Sequence, residues 1–152
     1  MGEWDHNDSR FVDHVIGAFY LVRRSVFESV GGFDERFFVY LEDLDLSNRI
    51  KAAGGQIFYL ASVQAFHKGG GTSDQVKAFR LFYSLRSRII YSYKHFNFFG
   101  AALILLATMF VEPISRVLVS VLRRSMSSVK ETLIAYKLLW KWLLDWVFKK
   151  SV

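Results

Sequence analysis

Between Gly31 and His67 lies the stretch best equipped for chemistry. It opens with Gly31-Gly32-Phe33-Asp34-Glu35, runs through Phe37-Phe38-Val39-Tyr40 to Glu42-Asp43-Leu44-Asp45, and ends at His67, ahead of Lys68-Gly69-Gly70-Gly71-Thr72-Ser73. Carboxylates among bulky apolar residues are costly unless they are paired or used. Three arrangements fit Glu42, Asp43 and Asp45: a metal site, a general base with an electrostatic neighbour, or the acidic start of a helix. If a helix begins at Glu42, residues two apart diverge and do not readily share one ion. An alternating strand separates adjacent carboxylates as well. Separate roles therefore suit the cluster better, one carboxylate accepting a proton and another holding backbone or a cation. His67 is either a structural hydrogen-bonding group or a ligand. The triple glycine with Thr72-Ser73 is either a hinge or a phosphate cradle rich in backbone N–H groups.

The elements that must position these groups follow from periodicity. Residues 1–13 are polar and read as a loop. Val15 to Val22 reads as a buried strand, in which Gly17 and Ala18 allow close approach or tight packing. Ser25 with Glu28 has the form of a capping box, and Gly31-Gly32 stops that short helix. Glu42 to Ala53 has helical spacing, with Leu46 and Ile50 on one stripe, carboxylates in the first turn facing the positive end of the dipole, and Gly54-Gly55 as the stop. Gln56 to Leu60 and Val63 to His67 are strand candidates. Ser73 is a further N-cap, opening a helix to about Phe96 with a stripe of Phe79, Phe82, Leu85, Ile89, Tyr93 and Phe96. On other faces of that helix, Arg86 and Arg88 either form a solvated or lipid-facing flank or reach a phosphate.

The 152 residues allow one modest domain with a real core. At 52% hydrophobic and 17% aromatic, the chain is more apolar than a soluble domain needs, so apolar surface is expected at a membrane or a partner. There is no cysteine, which excludes disulfides and thiolate chemistry. The acidic N-terminal residues do not resemble a secretory signal. Charge is split: residues 1–74 hold seven Lys/Arg against eleven Asp/Glu, and residues 75–152 hold thirteen against three. The basic half also carries the long apolar runs, a combination suited to anionic lipid. No nucleic-acid motif accompanies the charge, so nucleic acid is not expected as a partner. Phe98 to Val111 is 14 residues without a charge, and extension to Leu122 takes in Glu112, Pro113 and Arg116. This reads as a helix entering the membrane or lying on it, kinked near Pro113. From Val129 to Lys149 the stripe Leu133, Tyr136, Trp140, Leu143 and Val147, with tryptophans interleaved among lysines, suits a headgroup boundary; a core-packing helix is the alternative.

Gly17-Ala18-Phe19-Tyr20-Leu21-Val22-Arg23-Arg24, then Gly31 to Phe38, then Glu42-Asp43-Leu44-Asp45-Leu46, then His67 with its glycines, together resemble the C-terminal half of a family 2 inverting glycosyltransferase of the rhamnosyltransferase-like group. The likeness runs from about Trp4 to Phe96. With residues 97–152 read from their own composition as a membrane-associated tail of amphipathic and apolar helices, it implies an α/β fold for the rest, the acceptor-side half of a GT-A domain over residues 1–96. It also implies a nucleotide-sugar donor, a glycan or lipid-linked acceptor, a divalent metal (Mg²⁺ or Mn²⁺), and work at the cytoplasmic face of a membrane in polysaccharide synthesis. By the same likeness Asp43 is the general base with Glu42 beside it, and His67 contacts metal or diphosphate. Gly69, Gly70, Gly71, Thr72 and Ser73 close over the donor, while Gly17, Ala18 and Asp45 lie on the acceptor side. The family's N-terminal half, with its nucleotide-binding strands and Asp-X-Asp, does not appear ahead of Gly17. A fragment that needs a separate donor-binding half is therefore expected, and a non-catalytic membrane adaptor is the alternative.

Overall fold

Glycines set the ends of the two helices that frame the acidic stretch. The computed structural model describes residues 5–67 and 76–149. Helix α1 (Arg24–Ser29) ends where Gly31 and Gly32 take φ of +81° and +69°. Their N–H groups return to Glu28 and Phe27 carbonyls at 3.0 and 2.8 Å, a Schellman closure. Helix α2 (Glu42–Ala52) closes the same way, with Gly54 at φ +83° and the Gly55 N–H on the Ile50 carbonyl at 2.9 Å. The expected Ser25–Glu28 capping box does not form. The N-cap is Arg23, two residues earlier, and Arg24 takes the Glu28 carboxylate at 2.7 Å.

The expected stripe of α2 is correct: Leu46 and Ile50 are buried, each contributing on the order of 1.5–3 kcal/mol by leaving water. Strand β1 (Arg10–Val12) forms within the stretch expected to be a loop, and pairs antiparallel with β2 (Ile57–Tyr59). The register sets Arg10 opposite Tyr59, Phe11 opposite Phe58 and Val12 opposite Ile57. Two expected strands are absent. Val63 to His67 has no regular structure, and Val15 to Val22 contains only a 3-10 turn at Gly17–Phe19. No described strand lies beside that run to take up its backbone groups. Leu21 is accordingly 94% exposed, and the Gly17 N–H bonds to a side chain instead. The α/β expectation thus holds only as far as this two-stranded sheet, and the remaining regular structure is helical.

The chain forms two compact units, Met1–Gly69 and Gly70–Val152. The division therefore falls before α3 (Lys77–His95), not after it as the resemblance implies, because α3 packs on the last helix, α6 (Met126–Lys149). The second unit is built on Leu85, Ile89, Met109, Tyr136 and Leu139. On α3 the buried line is narrower than expected, since Phe79 and Phe96 are about half exposed. On α6 it is rotated: Ala135, Tyr136 and Leu139 are buried, whereas Leu133 and Val147 are exposed. Trp142 and Trp146 stack at 5.3 Å against the core, and Arg86 lies over the Trp142 ring at 5.6 Å. Two of the tryptophans expected at a headgroup boundary are thus partly buried against the core, and Arg86, expected on a basic flank or at a phosphate, is half-buried beside one of them.

Helices α4 (Phe98–Leu106) and α5 (Glu112–Leu122) are joined by a π-helical turn at Ala107–Val111 into one path of 25 residues with mean hydropathy 1.9. Length and composition suffice to cross a bilayer. The π turn answers Pro113. The Glu112 N–H goes to the Ala107 carbonyl and Pro113 has no N–H, so the Thr108 carbonyl loses both helical donors. The buried Tyr136 hydroxyl donates to it at 3.0 Å. Glu112 is held between Arg88 and Arg116, at 2.5 and 2.7 Å.

Candidate functional site

The first turn of α2 projects its three carboxylates in different directions, as residues on a helix must. Asp43 turns toward the 3-10 turn at Gly17. Its Oδ2 accepts the Gly17 N–H at 2.7 Å and its Oδ1 accepts its own helix's Leu44 N–H at 2.7 Å. The side chain keeps 16% of its exposure, so a small group can reach it from solvent. Gly17 is required for this approach, because a Cβ there would lie 3.2 Å from both Asp43 Cβ and Oδ2. Its smallness thus admits the carboxylate, and Ala18 stands exposed on the same turn.

Three further polar side chains complete the environment of Asp43. His14 Nε2 lies 3.9 Å from Oδ2, and His14 Nδ1 lies 3.1 Å from Ser47 Oγ. Ser47 is one helical turn beyond Asp43 and donates to the Asp43 carbonyl at 2.8 Å. With its one hydrogen spent there, Ser47 Oγ accepts from His14 Nδ1–H and from Tyr20 OH, the latter at 3.3 Å. That assignment leaves Nε2 as the histidine nitrogen facing the carboxylate. His14, Ser47 and Tyr20 were not legible as site residues. Only Ser47, at i+4 on a predicted helix, carried a signal; His14 comes from a segment with no pattern of its own.

Glu42 and Asp45 have different fates. Glu42 Oε2 is buried without a hydrogen-bond partner, beside the Asp43 carboxylate in sequence. A buried oxygen left without a partner costs roughly 1–3 kcal/mol. Asp45 is wholly buried and bound by Arg49 Nε at 2.8 Å, while Arg49 Nη1 donates to the Val30 carbonyl at 2.6 Å. Asp45 therefore ties α2 to the end of α1, and no acceptor reaches it in this arrangement, contrary to its expected place on the acceptor side. Asp34 and Arg36 pair through two guanidinium nitrogens, and these hydrogen bonds raise the Arg36 pKa. The hydrogen bond and charge of Lys51 hold the Asp13 carboxyl below the usual range.

The residues entering the cluster do so under backbone strain. Tyr40 and Leu41, immediately before Glu42, have φ of +68° and +67°, the left-handed region that side-chain-bearing residues seldom occupy. Leu41 is also the residue from which α2 starts.

Among the described residues no group of three His, Asp or Glu side chains gathers to hold a metal ion. Asp43 is engaged by backbone and Asp45 by Arg49. His67 is exposed, so its expected metal contact finds no partner ligands among the described residues. Gly69, Gly70, Gly71, Thr72 and Ser73, expected to close on a diphosphate, lie outside the described residues, as does the expected N-cap at Ser73.

Comparison with known proteins matches residues 6–149 to the model of Glycosyl transferase family group 2. The chain is 48% identical over 58 residues to an N-acetylglucosaminyl-diphospho-decaprenol L-rhamnosyltransferase of Mycobacterium tuberculosis, covering 38% of this chain and 19% of that protein. It is 45% identical over 56 residues to rhamnosyltransferase WbbL of Escherichia coli, covering 37% and 21%, and 43% identical over 53 residues to the O-antigen biosynthesis protein RfbC of Myxococcus xanthus, covering 35% and 4%. The matched segment thus spans about a fifth or less of each relative's length. No solved structure matches. With nearly the whole chain covered by the family model, and with the acidic turn, the Glu42-Asp43 pair and the preceding glycines in one folded unit, this chain belongs to glycosyl transferase family group 2.

Proposed function

We propose that the chain supplies the acceptor side and the catalytic base of an inverting glycosyltransferase that builds a cell-surface polysaccharide. A separate segment binds the nucleotide-sugar donor. The observation that carries this reading is the Asp43 carboxylate, aimed by two backbone N–H groups at 2.7 Å and still reachable from solvent.

Each Asp43 oxygen uses one lone pair on an N–H and keeps one for a further partner. The acceptor hydroxyl gives its proton to Asp43 while its oxygen attacks the anomeric carbon from the face opposite the leaving group. The bond from that carbon to the diphosphate oxygen breaks, the electron pair departs with the nucleoside diphosphate, and the anomeric configuration inverts. Proton acceptance of this kind contributes typically 10²–10⁴-fold. Gly17 and Leu44 hold the base in direction through their N–H groups. The divalent cation common in this family would neutralise the departing diphosphate. The described residues do not form its site, and the proton passes to Asp43 without it.

The names of two relatives favour a rhamnosyl donor, and the first of them favours an acceptor on a diphospho-lipid. A lipid acceptor agrees with the Phe98–Leu122 helix, whose large side chains, among them Phe99, Leu103, Ile114 and Leu122, face outward. We propose that the protein works at the cytoplasmic face of the membrane.

The test is Asp43→Asn in the enzyme complete with its donor-binding segment. Turnover should fall at least 100-fold with donor affinity within about twofold of the parent. Turnover near the parent rate removes Asp43 as the base. Deleting residues 97–152 should shift the protein from membrane to soluble fractions, and unchanged membrane recovery rejects the membrane assignment.

A further inference from the structure

Cations and helix starts converge at one end of the second unit in a way that sugar transfer at Asp43 does not use. There α3 and α6 begin and α5 ends, around a cavity of about 400 Å³ lined by Lys77, Arg116, Arg123, Glu131, Ser120 and Thr132. We infer that this cavity binds a phosphate-bearing group, such as the headgroup of an anionic lipid or a soluble diphosphate.

Three cations face one carboxylate there. Behind them Glu112 is shared by Arg88 and Arg116, so the balance stays positive. Among the described residues no ion pair engages Lys77 or Arg123, and both are exposed. The hydroxyls of Ser120 and Thr132 donate to the Arg116 and Ser128 carbonyls of their own helices, which leaves anion recognition to the cations. The starts of two long helices add the positive ends of their dipoles, and α5 ends in a Schellman closure at Arg124 and Ser125 that satisfies its last carbonyls. The volume is many times one water's share of about 30 Å³, ample for a diphosphate. Position favours the lipid source, because Arg123 directly follows the last residue of the apolar helix, where headgroups lie if that helix spans. The inference does not depend on Asp43 being a base, and its test measures binding only.

The full chain in non-ionic detergent is titrated calorimetrically with pyrophosphate. In parallel it is sedimented with phosphatidylcholine vesicles containing or lacking phosphatidic acid. Lys77→Gln with Arg123→Gln should weaken pyrophosphate binding at least tenfold. Glu131→Gln should strengthen it several-fold, a gain that damaged folding cannot produce. Lys137→Gln with Lys141→Gln removes the same charge from exposed positions of α6 and should leave binding unchanged. If pyrophosphate also displaces the chain from phosphatidic acid vesicles, the occupant is a lipid headgroup. If it binds at the cavity without displacing them, the occupant is a soluble phosphate compound. Equal weakening by the two double variants, no gain from Glu131→Gln, or no pyrophosphate binding by the parent chain overturns the inference.

Discussion

Replacing Tyr136 with Phe removes one oxygen and leaves the ring in place, and so deletes the bond to the Thr108 carbonyl. Tyr136 and Thr108 are 6% and 2% exposed, so water does not replace the lost donor. The two helical donors are missing already, one diverted to Ala107 and the other absent at Pro113. A buried carbonyl left without a partner costs roughly 1–3 kcal/mol, and the variant should lose stability by that amount. The magnitude alone does not distinguish this cause from altered packing, but a cycle with Pro113→Ala does. Alanine restores an N–H at position 113, where a π-type bond can reach Thr108. In that background Tyr136→Phe should cost less by about 1 kcal/mol, a coupling within the range for residues sharing one partner. The assay is denaturant unfolding in detergent micelles, followed by the fluorescence of Trp140, Trp142 and Trp146. Strict additivity of the two substitutions would refute the link between Pro113, the π turn and the Tyr136 hydroxyl.

Three further outcomes follow from the site. Gly17→Ala pushes on the Asp43 carboxylate from 3.2 Å and should slow turnover of the complete enzyme about tenfold while leaving its unfolding midpoint nearly unchanged; an unaffected rate would mean that the Gly17 contact does not aim the base. His14→Gln removes the ring nitrogens that lie 3.1 Å from Ser47 Oγ and 3.9 Å from the Asp43 carboxylate and should lower turnover of the complete enzyme several-fold; an unchanged rate would assign His14 a packing role. Lys51→Ala should let the Asp13 carboxyl pKa rise toward its ordinary value, followed by NMR titration of the side-chain carbon; no rise would deny the pair seen between them.

Most local signals in the sequence were reliable, the Ser25–Glu28 capping box being an exception. The start of α2 at Glu42, its Leu46–Ile50 stripe and both glycine stops are properties of a few adjacent residues, and all appear in the structure. Signals that depend on a distant partner were not reliable. Val15 to Val22 is apolar enough for a buried strand, yet a strand needs a neighbour to pair with, and no described strand supplies one. The apolar positions of α6 allow more than one stripe at helical spacing, and packing against α3 and α5 decided which was buried. Asp43 and Asp45 are equivalent on paper. A glycine N–H distant in sequence claims the first and Arg49 the second, and only the fold separates a reachable carboxylate from a buried structural one.

Two consecutive left-handed residues at Tyr40 and Leu41 cost on the order of 1–3 kcal/mol each. The packing of the first unit absorbs that cost once, as the chain folds. The direction of the Asp43 carboxylate is therefore settled as the chain folds, and under the proposed function an incoming acceptor need not spend binding energy on turning it.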